Sequence, residues 1–192
     1  MIKLGLTGSI ATGKTTVANI FKKFGIAVYN ADEEIKKLYQ RKDILQKLQE
    51  AFPKLQGKII TKECISKYLL QCPQALAKLE EILHPFVAES QQQFINLQKK
   101  NGKKLVLLEI VLLFEKNKQK EMDKILVTIV DEEIQKKRAL ERENMTKEKL
   151  ELLLKRQMPS AKKCEQADYI INTGKDLQDI EKEVQQIINS LL

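Results

Sequence analysis

Eight consecutive residues, Gly8-Ser9-Ile10-Ala11-Thr12-Gly13-Lys14-Thr15, fit the spacing G-x-x-x-x-G-K-[ST] at every fixed position. That combination suits one kind of chemistry, the cradling of nucleotide phosphates by backbone N–H groups at the start of a helix. Gly8 and Gly13 would let the backbone turn sharply and approach phosphate without a side chain in the way. Lys14 would reach the β- and γ-phosphates, and the Thr15 hydroxyl would hold Mg²⁺, with Thr16 continuing the run. The pattern needs a strand before it and a helix after it. Ile2 to Leu6 is a short apolar run that reads as the strand. Val17, Ile20, Phe21 and Phe24 follow i, i+3, i+4, i+7 spacing and predict a helix from about Thr15 to Phe24, with Gly25 at its left-handed cap. This context favours a P-loop over an ordinary glycine-containing turn, so a nucleoside triphosphate with Mg²⁺ is the expected ligand.

Two carboxylates come next. Asp32 follows a short apolar strand, Ile26 to Tyr29, and so falls on the edge of an open α/β sheet where ligands bind. It could act as a base beside the γ-phosphate, or it could cap the next helix, as Asp often does. Glu109 ends another apolar strand, Lys104 to Leu108, which is where an acid orders Mg²⁺ or its waters.

The elements that must position these groups follow in order. A helix is expected over Glu33 to Phe52, then a break at Pro53 to Lys58. Helices are expected at Thr61 to Leu70 and Gln74 to Leu83, separated by Cys72-Pro73, and another at Phe86 to Lys100 after a stop at His84-Pro85. Asp123 to Val130 reads as a fourth strand, nearly continuous in apolar residues. Glu132 to Glu143 and Thr146 to Gln157 read as a helical hairpin. Arg138, Arg142, Arg156, Lys162 and Lys163 give this region the charge of a solvated helix pair. A kinase would carry lid arginines at the same place, and i, i+4 spacing puts Arg138 and Arg142 on one helix face. Asp168 to Ile171 is the fifth strand, and Leu177 to Leu191 forms an amphipathic C-terminal helix. The fold class is therefore α/β, a three-layer P-loop sandwich around a five-stranded parallel sheet.

The totals narrow the partners. The chain has 192 residues, 43% hydrophobic and 31% charged, which is enough for one good core and a small insert. Its net charge of +8 suits small polyanions such as ATP and a phosphorylated co-substrate. With 5% aromatic residues and no Trp, no stacking platform for single-stranded nucleic acid is visible. No stretch approaches the length of a membrane span, and no signal-type run precedes the first strand, so a cytoplasmic protein is expected. The three cysteines lack C-x-x-C spacing and support neither a disulfide framework nor zinc. A monomer or weak homo-oligomer is expected.

An ordered series of segments, the P-loop among them, resembles the dephospho-coenzyme A kinase family over nearly the whole chain. It comprises Gly5 to Ala18, Asn30-Ala31-Asp32, Leu79 to Pro85, Leu112-Leu113-Phe114-Glu115, Gln135 with Arg138 and Arg142, Gln157-Met158-Pro159, and Ala167 to Asn172. The resemblance implies transfer of the ATP γ-phosphoryl group to the ribose 3′-hydroxyl of dephospho-coenzyme A. It implies that Asp32 accepts or orients the 3′-hydroxyl proton and that Arg138 and Arg142 neutralise the phosphoryl oxygens. Asn172 would lie near adenine, and His84 on the substrate side. It also implies a core at 1–32, 103–131 and 164–192, a helical substrate-binding region at 33–102 and a lid at 132–163. Asn30, Val111, Lys62 and Phe52-Pro53 depart from the family pattern, mostly at substrate contacts. The rival readings are another small P-loop nucleoside monophosphate or metabolite kinase, and a non-catalytic nucleotide sensor.

Overall fold

The computed structural model describes residues 1–55, 60–72 and 74–192, leaving aside the side chains at positions 54, 62, 63, 66, 67 and 70. The expectations on Pro73, on residues 56–58 and on the Lys62 side chain lie outside these described residues. In chain order the elements begin with β1 (Ile2–Gly8), α1 (Lys14–Lys23), β2 (Ala27–Asn30), α2 (Ala31–Leu38), α3 (Lys42–Ala51), α4 (Lys62–Gln71) and α5 (Ala75–Lys100). There follow β3 (Leu105–Glu109), β4 (Lys124–Ile129), α6 (Glu132–Leu140), α7 (Lys147–Lys155), α8 (Ser160–Cys164), β5 (Tyr169–Asn172) and α9 (Leu177–Leu191). Two compact units result, one from Met1–Tyr29 with Leu97–Leu192 and the other from Asn30–Asn96.

The first unit is built on a five-stranded parallel sheet of order β2-β3-β1-β4-β5. Its strands are apolar on both faces because both faces are covered. Leu4, Leu6, Leu107 and Leu126 pack against Phe21 and Val17 of α1 and Val184 and Ile188 of α9. Ile125 and Val127, one residue out of phase with Leu126, pack on the other side with Leu113, Phe114 and Met158. The register sets Leu6 beside Glu109, Gly8 beside Thr128 and Ile129 beside Asn172. All these residues stand at the carboxyl ends of their strands. The crossovers also reverse direction on either side of β1, which makes this edge the ligand-binding crevice of an open parallel sheet.

Asp168 ties β5 to β4. Its carboxylate accepts from the Ile125 amide at 2.8 Å and pairs with Lys124 Nζ at 2.7 Å. Partial burial alone would push this carboxyl up, but the Lys124 ammonium and the Ile125 amide outweigh it and hold the group below the usual carboxylate range. A lowered folded-state pKa contributes stability above the ordinary Asp value that disappears as pH falls through it. Asp168→Asn is therefore expected to lower the urea midpoint at neutral pH. It should also flatten the loss of stability between about pH 5 and pH 2. An unfolding series across that window checks both, and a variant with the wild-type acid slope would remove Asp168 as its source.

The second unit has a core of its own, formed by Leu38, Ile44, Leu48, Phe52, Leu55, Leu79 and Leu83. Two expectations are corrected here. The helix expected from Glu33 to Phe52 is two helices, broken at Tyr39–Arg41, with Arg41 extended at φ −85° and ψ 125°. In one continuous helix Leu38 and Ile44 would point about 120° apart, and the break re-phases them into one core. His84-Pro85 does not stop its helix either, since α5 runs through Pro85. Leu79 and Leu83 before it and Phe86 and Val87 after it pack on the same core. Pro85 and Glu81, whose carbonyl loses its helical donor, are exposed, so water can satisfy that carbonyl.

Candidate active site

The loop Gly8–Thr15 leaves β1 and enters α1 with Gly13 as the helix N-cap in the left-handed region, φ 80°. Ala11, also left-handed at φ 60°, is buried with Ile10 against Ala139 and Leu150 of the α6–α7 hairpin. The peptide of Ile10 is gripped from both sides. Gln135 Nε2 donates to its carbonyl at 2.7 Å, and its amide donates to Gln157 Oε1 at 3.0 Å. Ser9 Oγ donates to the same Gln157 oxygen at 2.7 Å. A buried loop has no ladder to satisfy its backbone groups, and here two glutamines supply the partners.

Behind the loop lies a set of threonine hydroxyls. Thr12 Oγ1 donates to the Ser9 carbonyl at 2.9 Å and lies 2.8 Å from Thr128 Oγ1. Thr173 Oγ1 donates to the Thr12 carbonyl at 3.0 Å. Arg138 then donates to Thr173, from Nη1 to Oγ1 at 3.1 Å and from Nη2 to the carbonyl at 3.0 Å. Lys14 Nζ, almost buried, donates to the carbonyls of Gly8 and Ser9 at 2.9 and 2.8 Å. Its charge is thereby held over the loop, beside the positive end of α1.

The space Gly8 leaves is needed. An added Cβ would collide with Thr128 Oγ1 and stand 2.7 Å from the Thr128 carbonyl oxygen. Gly25→Ala meets nothing within 4 Å and is strained only by its left-handed φ of +77°, which makes it the uncrowded control. Gly8→Ala is expected to weaken ATP binding at least about tenfold and to cost about 1–3 kcal/mol of stability from overpacking. Gly25→Ala should leave ATP binding unchanged. Titration with ATP and thermal melts of both variants check this.

The structure brings Gly8, Ser9, Ile10, Ala11, Thr12, Gly13, Lys14, Arg138 and Asn172 together on one sheet edge, with Glu109 nearly buried at the end of β3 beside Leu6. Thr15 and Thr16 are exposed in the first turn of α1. Asn172 ends β5, and its Oδ1 accepts from the Gly174 amide at 2.9 Å. Asp32 lies in the helical unit, exposed in the first turn of α2. It is not the cap. Asn30 holds that position, its side chain accepting from the Glu33 amide at 2.9 Å. Arg142 does not share a helix face with Arg138, because α6 ends at Leu140 and Arg142 follows it, exposed. Lys163 is not solvated charge either: it is fully buried against Glu115. The sequence reading left Thr128 and Thr173 without a role. Only the fold shows why Thr173 fits there: a Cβ at Gly13 would stand 2.8 Å from its side chain.

Against this geometry, the model of the dephospho-CoA kinase family matches residues 2–179. The chain belongs to the dephospho-CoA kinase family. The dephospho-CoA kinase of Bartonella quintana (strain Toulouse) is 44% identical over 191 residues, covering 98% of this chain and 97% of that one. That of Brucella melitensis biotype 1 is 38% identical over 192 residues, covering 100% and 96%. A crystal structure from Thermus thermophilus superposes with a TM-score of 0.81 at 26% identity, covering 100% of this chain and 98% of its own. The dephospho-CoA kinase structure from Campylobacter jejuni, at 24% identity and a TM-score of 0.66 over 98% and 96%, shares the fold. Among the described residues no helix is long and apolar enough to cross a membrane.

Proposed function

We propose that the chain transfers the γ-phosphoryl group of ATP to the ribose 3′-hydroxyl of dephospho-coenzyme A, forming coenzyme A and ADP in the cytoplasm. The observation that carries this reading is identity to dephospho-CoA kinases along the full chain, joined to an intact P-loop on the ligand edge of the sheet. Backbone amides of the Gly8–Thr16 loop other than that of Ile10, which Gln157 holds, receive the phosphates, and Lys14 leaves the Gly8 and Ser9 carbonyls to bridge the β- and γ-oxygens. Asn172 and its turn border the adenine.

Thr15 and Glu109 offer a hydroxyl and a carboxylate, the hard oxygen donors that Mg²⁺ takes, with waters completing its shell. Bound there, Mg²⁺ would neutralise charge on the phosphate oxygens. Asp32 accepts the proton of the 3′-hydroxyl as that oxygen bonds to the γ-phosphorus and the bond to the β-phosphate oxygen breaks, leaving ADP. Arg138 and Arg142 face the negative charge spread over the transferring group. Residues 132–163 serve as the lid and 33–102 as the substrate-binding region.

The deciding experiment follows ADP release with ATP, Mg²⁺ and dephospho-coenzyme A, beside a panel of nucleoside monophosphates and a control without acceptor. Turnover that depends on dephospho-coenzyme A alone is the expected result. Turnover only with another acceptor would move the specificity, and tight ATP binding with no turnover would point to a nucleotide sensor.

A further inference from the structure

The brace on the P-loop depends on a residue whose backbone has no regular element to hold it. Gln157 lies beyond the end of α7 at Lys155 and before α8 at Ser160. Yet its Oε1 must meet both Ser9 Oγ and the Ile10 amide, at 2.7 and 3.0 Å. The next amide along, that of Met158, donates to Glu115 Oε1 at 2.6 Å, a short bond of the charge-assisted kind. Glu115 follows β3 and is nearly buried, and Lys163 of α8 stands 3.0 Å from the same Oε1 with its side chain wholly buried. The Gln157–Met158 peptide is thus pinned to the segment after β3 by a buried ion pair.

This pair is poorly arranged as a source of stability. Among the described residues, Glu115 Oε2 and Lys163 Nζ are buried without an aligned hydrogen-bond partner. Buried charges with unfilled partners cost desolvation that their attraction does not reliably return. What the pair does hold well is the Met158 amide, and through it the direction of the Gln157 side chain.

We propose that Glu115, locked by Lys163, is a positioning residue of the ATP site: it sets the Gln157–Met158 peptide so that Gln157 holds Ser9 and Ile10 in the phosphate-binding shape. The inference rests on the reading of Gly8–Thr15 as an ATP site.

The test measures ATP dissociation constants by calorimetry, with thermal melts in parallel, for Glu115→Ala, Glu115→Gln, Lys163→Met and Gln157→Ala, and for each of the first three combined with Gln157→Ala. Glu115→Ala is expected to raise the ATP Kd about tenfold, within the range for coupled residues of one network. Glu115→Gln keeps an acceptor for the Met158 amide and should stay within about threefold of wild type, although both variants lose the ion pair and melt lower. On the Gln157→Ala background none of the three should raise Kd further, while their effects on melting persist. If Glu115→Ala does not fold, Lys163→Met carries the same prediction of non-additivity. Two results overturn the proposal: a full increase in Kd on the Gln157→Ala background, or a Glu115→Ala variant that melts lower but binds ATP as the wild type does. A wild-type chain that bound no ATP would instead overturn the ATP-site reading itself.

Discussion

Asp32→Asn is expected to lower kcat with dephospho-coenzyme A by about 10²–10⁴, the usual worth of a positioned base, while the ATP Kd stays within about twofold. The substitution keeps size and hydrogen-bonding reach but removes the ability to take a proton. Two observations make it clean. Asn30, not Asp32, caps α2, so the change leaves the cap in place. Asp32 is also exposed in the first turn, where removing a carboxylate forfeits only about 0.3–1 kcal/mol of interaction with the helix dipole. A drop in turnover therefore could not be a collapse of the helical unit. Single-turnover rates with bound ATP give kcat for the chemical step, and calorimetry gives the Kd. Wild-type turnover in this variant would remove Asp32 from the reaction.

The same segment shows what the sequence could and could not convey. A P-loop is a local device: its glycines, lysine and threonine are adjacent, and the strand and helix around it are marked by their own periodicities. It was legible for that reason, as were Glu109 at the end of its strand and the parallel sheet. The roles of Asn30 and Asp32 at α2 were less so, because Asp and Asn both cap well and spacing cannot choose between neighbours two apart. The expectation of a stop at Pro85 rests on the rule for the residue before proline, which is local. The apolar contacts that carry α5 through it come from Leu79, Leu83, Phe86 and Val87 packing on a core assembled from distant segments. Thr173 and Gln157 were hidden for a similar reason. Each meets the P-loop across more than a hundred residues of chain, and neither residue type carries a periodic signal. The expectation of a solvated Lys163 follows from lysines being mostly exposed. Only the fold brings Glu115 to it.

The two arginines should separate cleanly by which kinetic constant they move. Arg142→Ala is expected to lower kcat by about 10³–10⁵ with little change in ATP affinity, as for an arginine acting on the transferring phosphoryl group. Arg138→Ala should raise the ATP Kd as well as slow turnover. Its guanidinium uses both Nη atoms on Thr173, at 3.1 and 3.0 Å, and Thr173 in turn donates to the Thr12 carbonyl of the P-loop. Truncating Arg138 therefore loosens the loop before any phosphate arrives. Arg142 is exposed beyond the end of α6, where neither the loop nor the helix depends on it. Lysine substitutions sharpen the contrast. Arg138→Lys keeps charge but cannot span the hydroxyl and the carbonyl of one residue as a planar fork does. It should behave like the alanine variant in Kd. Arg142→Lys should recover part of kcat, because neutralising charge needs a cation more than a fork. The reverse split, with Arg142→Ala raising Kd and Arg138→Ala lowering kcat alone, would mean that Arg138 acts on the phosphoryl group without bracing the loop through Thr173. The contact at Thr173 would then be the resting position of a residue that works elsewhere.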